Sequence, residues 1–102
     1  MKRINDRRVR EKQILDAALS LSVKIGYSCI TRDAVAEIAG VSSALIANYF
    51  PRMYHLKQAI MQTAIKQEVL EVIAQGLSIR DPMALKISNE LKVKVLSLLS
   101  QA

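Results

Sequence analysis

An all-α fold is what this sequence predicts, and three observations predict it. Apolar residues recur at spacings of three and four, and strand signals are missing. The 102 residues hold only three glycines and two prolines, while 51% are hydrophobic. Helix-starting residues (Asp6, Thr31, Ser42, Asp81) and helix-ending glycines (Gly26, Gly40, Gly76) stand at the edges of the periodic stretches. Five helices are expected: three in a helix-turn-helix unit, a long fourth, and one at the C-terminus.

The chain begins with a loose arm, Met1 to Asn5, carrying Lys2 and Arg3. Asp6 caps the first helix, which takes Arg7, Arg8, Arg10 and Lys12 into its opening turns. Ile14, Leu15, Ala18, Leu19, Ser22 and Ile25 then form an apolar face, and Gly26 ends the helix. Basic residues at a helix start oppose the positive end of its dipole, a penalty that a phosphate partner would remove.

The segment from Thr31 to Phe50, TRDAVAEIAGVSSALIANYF, is the centre of the chain. Thr31 can accept a hydrogen bond from an orphan amide and start a helix carrying Ala34, Val35, Ile38 and Ala39. Gly40 stops it, with Val41 as the apolar lock. Ser42 starts the next helix, in which Leu45, Ile46, Tyr49 and Phe50 face back. Ala36, one turn before Gly40, gives the small side chain that a close crossing needs. Left on the outside of the second helix are Ser43, Ala44, Ala47 and Asn48. So lean and polar a face suits a helix that enters the DNA major groove.

Pro51 forces a corner with Arg52 in it. A fourth helix should run from Met53 or Tyr54 to Gln75, with two apolar stripes. Leu56, Ile60, Ala64, Leu70 and Ala74 would pack on the preceding helices, and Met61, Ile65, Val69, Val72 and Ile73 would face elsewhere. Gly76 and Leu77 to Arg80 end it. Asp81 with Pro82 then starts a last helix reaching Ser100, with Ala84, Ile87, Leu91, Val95 and Leu98 on one side and Val93, Leu96 and Leu99 widening the face. A helix with two apolar stripes must pack twice. The sequence therefore predicts a homodimer interface built from Met61, Ile65, Val69, Val72, Ile73, Leu91, Val95, Leu98 and Leu99. It divides the chain into a DNA-binding part, residues 1–60, and a dimerisation segment, residues 61–102.

The net charge of +6 is uneven: residues 1–60 hold ten Lys/Arg against five Asp/Glu, and residues 61–102 hold five against four. The basic half is the half with the helix-turn-helix, and such charge attracts phosphate. Cys29 and His55, each the single residue of its type, are read as structural or surface residues. No metal, cofactor or catalytic arrangement is expected, and no enzyme. With neither a leader nor a membrane span expected, the chain is placed in the cytoplasm.

With these residues laid out, the first sixty resemble the DNA-binding domain of the TetR family of bacterial repressors. The resemblance is carried by Ile14-Leu15 with Ala17-Ala18, Gly26-Tyr27, Thr31, Val35-Ala36, Ala39-Gly40-Val41-Ser42, Ile46, Tyr49-Phe50 and Leu56 with Ala59. It implies that the first helix approaches the DNA backbone, the second crosses it, the third enters the major groove, and the start of the fourth adds a phosphate contact. On that basis Thr31, Ser42, Ser43, Ala44, Asn48 and Tyr49 face DNA, and Arg32 and Ala47 are added as candidate DNA-binding residues. Arg7, Arg8, Arg52 and Lys57 supply charge to its backbone. The chain departs from the family at Ala47, where a tyrosine is common, and at Met53, where a lysine is usual. It also departs in length, so it reads as a dimeric repressor of a palindromic operator without a ligand-sensing domain or small-molecule effector. The alternative reading is a helical protein-interaction module, an antitoxin or adaptor.

Overall fold

The computed structural model describes the backbone of residues 2–100 and the side chains of residues 7–100. Among them are seven α-helices and no strand: α1 (Lys2–Ile25), α2 (Arg32–Ala39), α3 (Ser43–Tyr49), α4 (Met53–Gln67), α5 (Leu70–Ser78), α6 (Pro82–Leu85) and α7 (Asn89–Ser100). A 3-10 turn, Tyr27–Cys29, joins α1 to α2. The fold is all-α as expected, but the stretch expected to be an arm is helical from Lys2. The side chains of Lys2 and Arg3 and the cap assigned to Asp6 lie outside the described residues, as does Met1.

The helix-turn-helix joint is made by local devices. Thr31 Oγ1 accepts from the Ala34 amide at 3.2 Å, and Ser42 Oγ accepts from the Leu45 amide at 3.1 Å, so each helix has its cap. Gly40 sits at φ 73°, a left-handed conformation that an L side chain resists. The Val41 amide then reaches back to the Ala36 carbonyl at 3.0 Å. Val35, Ala36, Ala39 and Ile46 are buried in the joint, with Val41 and Tyr49 half-buried at its edge. Ile38 and Ile25, expected on apolar faces, are exposed. Gln13 Nε2 donates to the Ala39 carbonyl at 3.1 Å and fixes the end of α2 to α1.

The fourth helix is shorter than its periodicity suggests. It ends at Gln67, where Glu68 takes a left-handed conformation (φ 55°) and the Val69 amide turns back to the Ala64 carbonyl at 2.8 Å. A non-glycine residue there costs about 1–2 kcal/mol. The turn lets α5 fold back so that Val72 and Ile73 are fully buried, and burial of such side chains contributes about 1.5–3 kcal/mol each. Packing wins over helical continuity.

The last helix is divided as well. Asp81 Oδ1 caps α6 by accepting from the Met83 and Ala84 amides at 2.9 and 3.2 Å, but that helix stops at Leu85. Ser88 Oγ accepts from the Leu91 amide at 3.2 Å and starts α7. The bend between them carries Ile87 into the core alongside Ala84 and Leu91. Gly76, expected to end a helix, lies inside α5. A Cβ there would overlap Met61 Cε and come within 3.0 Å of Ala84 Cβ, so glycine serves the close approach of α4, α5 and α6.

These turns correct the expected interface. Met61, Val72, Ile73 and Val95 are fully buried and Leu91 is nearly so, all within one chain's own core. They have no surface to offer a second copy. Ile65, Val69 and Leu98 are half-buried, and only Leu99 of the nine is exposed. The second stripe of α4 packs in the same cluster as α5, a separate helix where periodicity alone continues α4. Beyond the core, α7 still presents Val93, Leu96 and Leu99 at 61%, 60% and 55% exposure.

One apolar cluster runs the length of the molecule, from Ile14 and Ala18 through Val35, Ile46, Leu56 and Ile60 to Met61, Ile73 and Val95. Tyr27 joins its two ends. Its hydroxyl lies 2.9 Å from the Lys57 carbonyl of α4 and 3.1 Å from Asp81 Oδ2, while its amide donates to Gln75 Oε1 of α5.

Candidate nucleic-acid interface

The exposed surface of the helix-turn-helix is built from the starts of α2, α3 and α4. An open groove of about 460 Å3 lies among them, lined by Ile30, Thr31, Arg32 and Asp33, by Ser43, Ala44 and Ala47 of α3, and by Met53. On α3, Ala44 and Asn48 are exposed and Ser43, Ala47 and Tyr49 are half-exposed, while Ile46 is fully buried beneath them. The expected residues therefore share one surface, built of the short side chains Ser43, Ala44, Ala47 and Asn48 with Tyr49 at the end of the helix.

Thr31 and Ser42 spend a lone pair each on their caps, which leaves the hydroxyl protons for an outside acceptor such as a phosphate oxygen. Ser43 is committed differently. Its Oγ donates to Asp33 Oδ1 across the joint, an acidic partner outside the expected set. An aspartate in the first turn of a helix is already explained by the helix dipole, so the residue gave no separate signal.

The basic residues divide into free and engaged. Arg8, Arg10 and Arg52 are exposed. The Arg7 guanidinium lies over the Tyr49 ring, 4.4 Å from its centroid, which ties the start of α1 to the end of α3. Arg32 lines the groove with part of its side chain engaged: its Nη2 donates to the Pro51 carbonyl, and its Nε is buried without a partner. That bond braces the corner after α3 while Arg32 still lines the groove. Lys57 is half-buried, with Nζ 3.3 Å from the Ser28 carbonyl and 5.4 Å from the centre of the Tyr27 ring. His55 Nδ1 accepts from the Arg52 amide at 3.3 Å, part of the cap of α4. Tyr54 beside it is exposed at 63% in the first turn of α4, an aromatic that periodicity alone did not single out.

The titration of Tyr27 reflects its place behind this surface. Burial, then the Asp81 charge and the hydrogen bond to it, push the phenol well above its ordinary range. No group of three or more His, Cys, Asp or Glu side chains gathers as a metal site among the described residues. No helix among them is long and apolar enough to cross a membrane.

Comparison with known proteins points the same way as the geometry. The chain is 36% identical over 72 residues to the HTH-type transcriptional repressor KstR of Rhodococcus jostii (strain RHA1), which is 71% of this chain and 32% of that protein. It is 45% identical over 49 residues to the repressor of the same name from Mycolicibacterium smegmatis, covering 48% of this chain and 24% of the relative. The corresponding repressor of Mycobacterium tuberculosis is 41% identical over 49 residues. The chain thus spans a third or less of the length of the relatives it matches. No protein-family model matches it, and neither does any solved structure.

Proposed function

We propose that this chain is a TetR-like, sequence-specific DNA-binding repressor that acts as a homodimer on a palindromic operator in the cytoplasm. Its similarity to helix-turn-helix transcriptional repressors supports the class. The observation that carries the assignment is the outer face of α3, where Ser43, Ala44, Ala47 and Asn48 stand over a buried Ile46. In the proposed complex α3 lies in the major groove, where Asn48 bonds two atoms of an adenine edge and the methyls of Ala44 and Ala47 meet thymine. Arg7, Arg8, Arg52 and Lys57 hold the sugar-phosphate backbone, with Thr31 and Ser42 as neutral donors to it.

A two-fold operator requires a two-fold protein, and the exposed Val93, Leu96 and Leu99 of α7 are the surface proposed for it. The proposal includes no small-molecule effector, since the space among α4, α5 and α7 is filled by the fully buried Met61, Ile73 and Val95. The same α7 stripe is what favours the second reading, a protein-interaction module.

A salt titration on selected and scrambled duplexes separates the two. Asn48→Ala should cost about 1–3 kcal/mol on the selected site and relax preference at one base pair per half-site. Arg8→Ala should weaken both duplexes alike and flatten the slope of log affinity against log salt by roughly one unit. Equal losses for Asn48→Ala on both duplexes would remove α3 from the groove and leave the interaction-module reading standing.

A further inference from the structure

We propose that Asp33 is a specificity-determining residue: together with Ser43 it forms an acceptor pair that selects the exocyclic amino group of a cytosine in the major groove. The inference rests on the DNA-binding reading above and adds a base preference to it.

Asp33 belongs to α2 and Ser43 to α3, and the tight turn at Gly40 brings them into contact on the lining of the open groove. Ser43 Oγ donates to Asp33 Oδ1. A serine hydroxyl has a single proton, so once it is given to the carboxylate only lone pairs are left for a third group. An ionised carboxylate likewise has only lone pairs. The two side chains therefore offer a ligand acceptors and no donor. Water would blur this at an exposed site, but a duplex seated on α3 excludes it.

The edges of the bases in the major groove differ in what such a pair can meet. Guanine shows two acceptors, N7 and O6, and thymine shows O4, so all of these oppose it. Adenine sets its N6 amino donor beside the N7 acceptor, one match and one clash. Cytosine presents its N4 amino group alone and suits the pair without conflict.

The charge of Asp33 strengthens the argument. Among the described residues no Lys or Arg forms an ion pair with it, and the neighbouring Arg32 is turned to the Pro51 carbonyl. A bare carboxylate on a basic, phosphate-facing surface weakens binding to every duplex. Such a group gains its use by discrimination, through what it repels.

The test is binding of the full chain to a duplex selected from random DNA, and to its single-base-pair variants, at fixed salt. Wild type should prefer cytosine at one position per half-site by about 5- to 150-fold over the other bases. Asp33→Asn should flatten that preference and bind scrambled duplex more tightly than wild type does. Ser43→Ala should weaken the same preference without the gain on scrambled DNA. Both positions lie on the surface, and matched melting curves would verify the fold of each variant. Unchanged preference in Asp33→Asn at every position overturns the proposal, as does a wild-type preference for any base but cytosine at the position it affects. If random DNA yields no preferred duplex for wild type, the DNA-binding reading itself falls, which is a different result.

Discussion

The Tyr27 hydroxyl and the Asp81 carboxylate meet at 3.1 Å, although 54 residues of chain separate them. One stands between α1 and α2, the other at the start of α6, so the contact joins the helix-turn-helix to the C-terminal helices. Asp81 does a second task with its other oxygen, capping α6.

Removing the two groups should therefore have unequal effects. Tyr27→Phe loses a hydroxyl bond and should cost about 0.5–1.5 kcal/mol. Asp81→Ala loses that bond and a helix cap, and should cost about 1–3 kcal/mol in urea unfolding. The double variant should cost less than the sum of the single ones. Strict additivity would mean that the contact contributes nothing.

Alkaline pH should test the same contact from the other side. The phenol of Tyr27 is raised in the folded chain by burial and by Asp81, so the unfolded chain gives up this proton first. Its contribution to stability is fully present below about pH 10, the ordinary phenol range, and is lost as pH rises beyond it. An absorbance titration should contain one late tyrosine step that is missing in Tyr27→Phe.

Arg7 and Arg8 are neighbours with different duties. Arg7 stacks on Tyr49, so Arg7→Ala should destabilise the free protein by about 0.5–1 kcal/mol as well as weaken DNA binding. Arg8→Ala should leave the melting temperature unchanged. Equal melting curves for the two variants would show that the Arg7 stack carries no stability.

On α7, Val93→Glu with Leu96→Glu should leave the helical signal intact while halving the mass seen in sedimentation, since both residues are exposed, and should lower the melting temperature only by the lost association. Val95→Glu places a charge in the core and should unfold the chain, at a cost of several kcal/mol. A wild-type chain that sediments as a monomer at micromolar concentration would remove the homodimer from the proposal.

The break after α4 gives a prediction of opposite sign. Glu68→Gly relieves a left-handed glutamate and loses only an exposed ion pair to Lys94, so it should stabilise by about 0.5–1 kcal/mol in urea unfolding. Destabilisation would mean that the Glu68–Lys94 pair matters more than its exposure suggests.

What was legible in the sequence was what depends on neighbours in the chain. Thr31, Gly40 and Ser42 start and stop their helices by bonds within a few residues, and α3 shows its outer face through its period alone. The turns at Glu68 and Lys86 contain neither glycine nor proline, and they exist because Val72, Ile73 and Ile87 are worth more in the core than in a continued helix. Read without them, a stripe buried against α5 looks like a stripe waiting for a second molecule. The pairing of Asp33 with Ser43 and the turning of Arg32 to Pro51 depend on how α2 crosses α3, which no spacing encodes.

The cluster from Ile14 to Val95 passes through Ile60 and Met61, where the expected DNA-binding part would meet the expected dimerisation segment. A contiguous core of this kind favours cooperative melting, so loss of α5 and α7 should lower the stability of α3 as well. A lesion such as a truncation after Ile60 would strip the cover from Leu56 and Ile60 and expose α3 to proteolysis. In a cell, the abundance of such a chain and its occupancy of DNA would fall together.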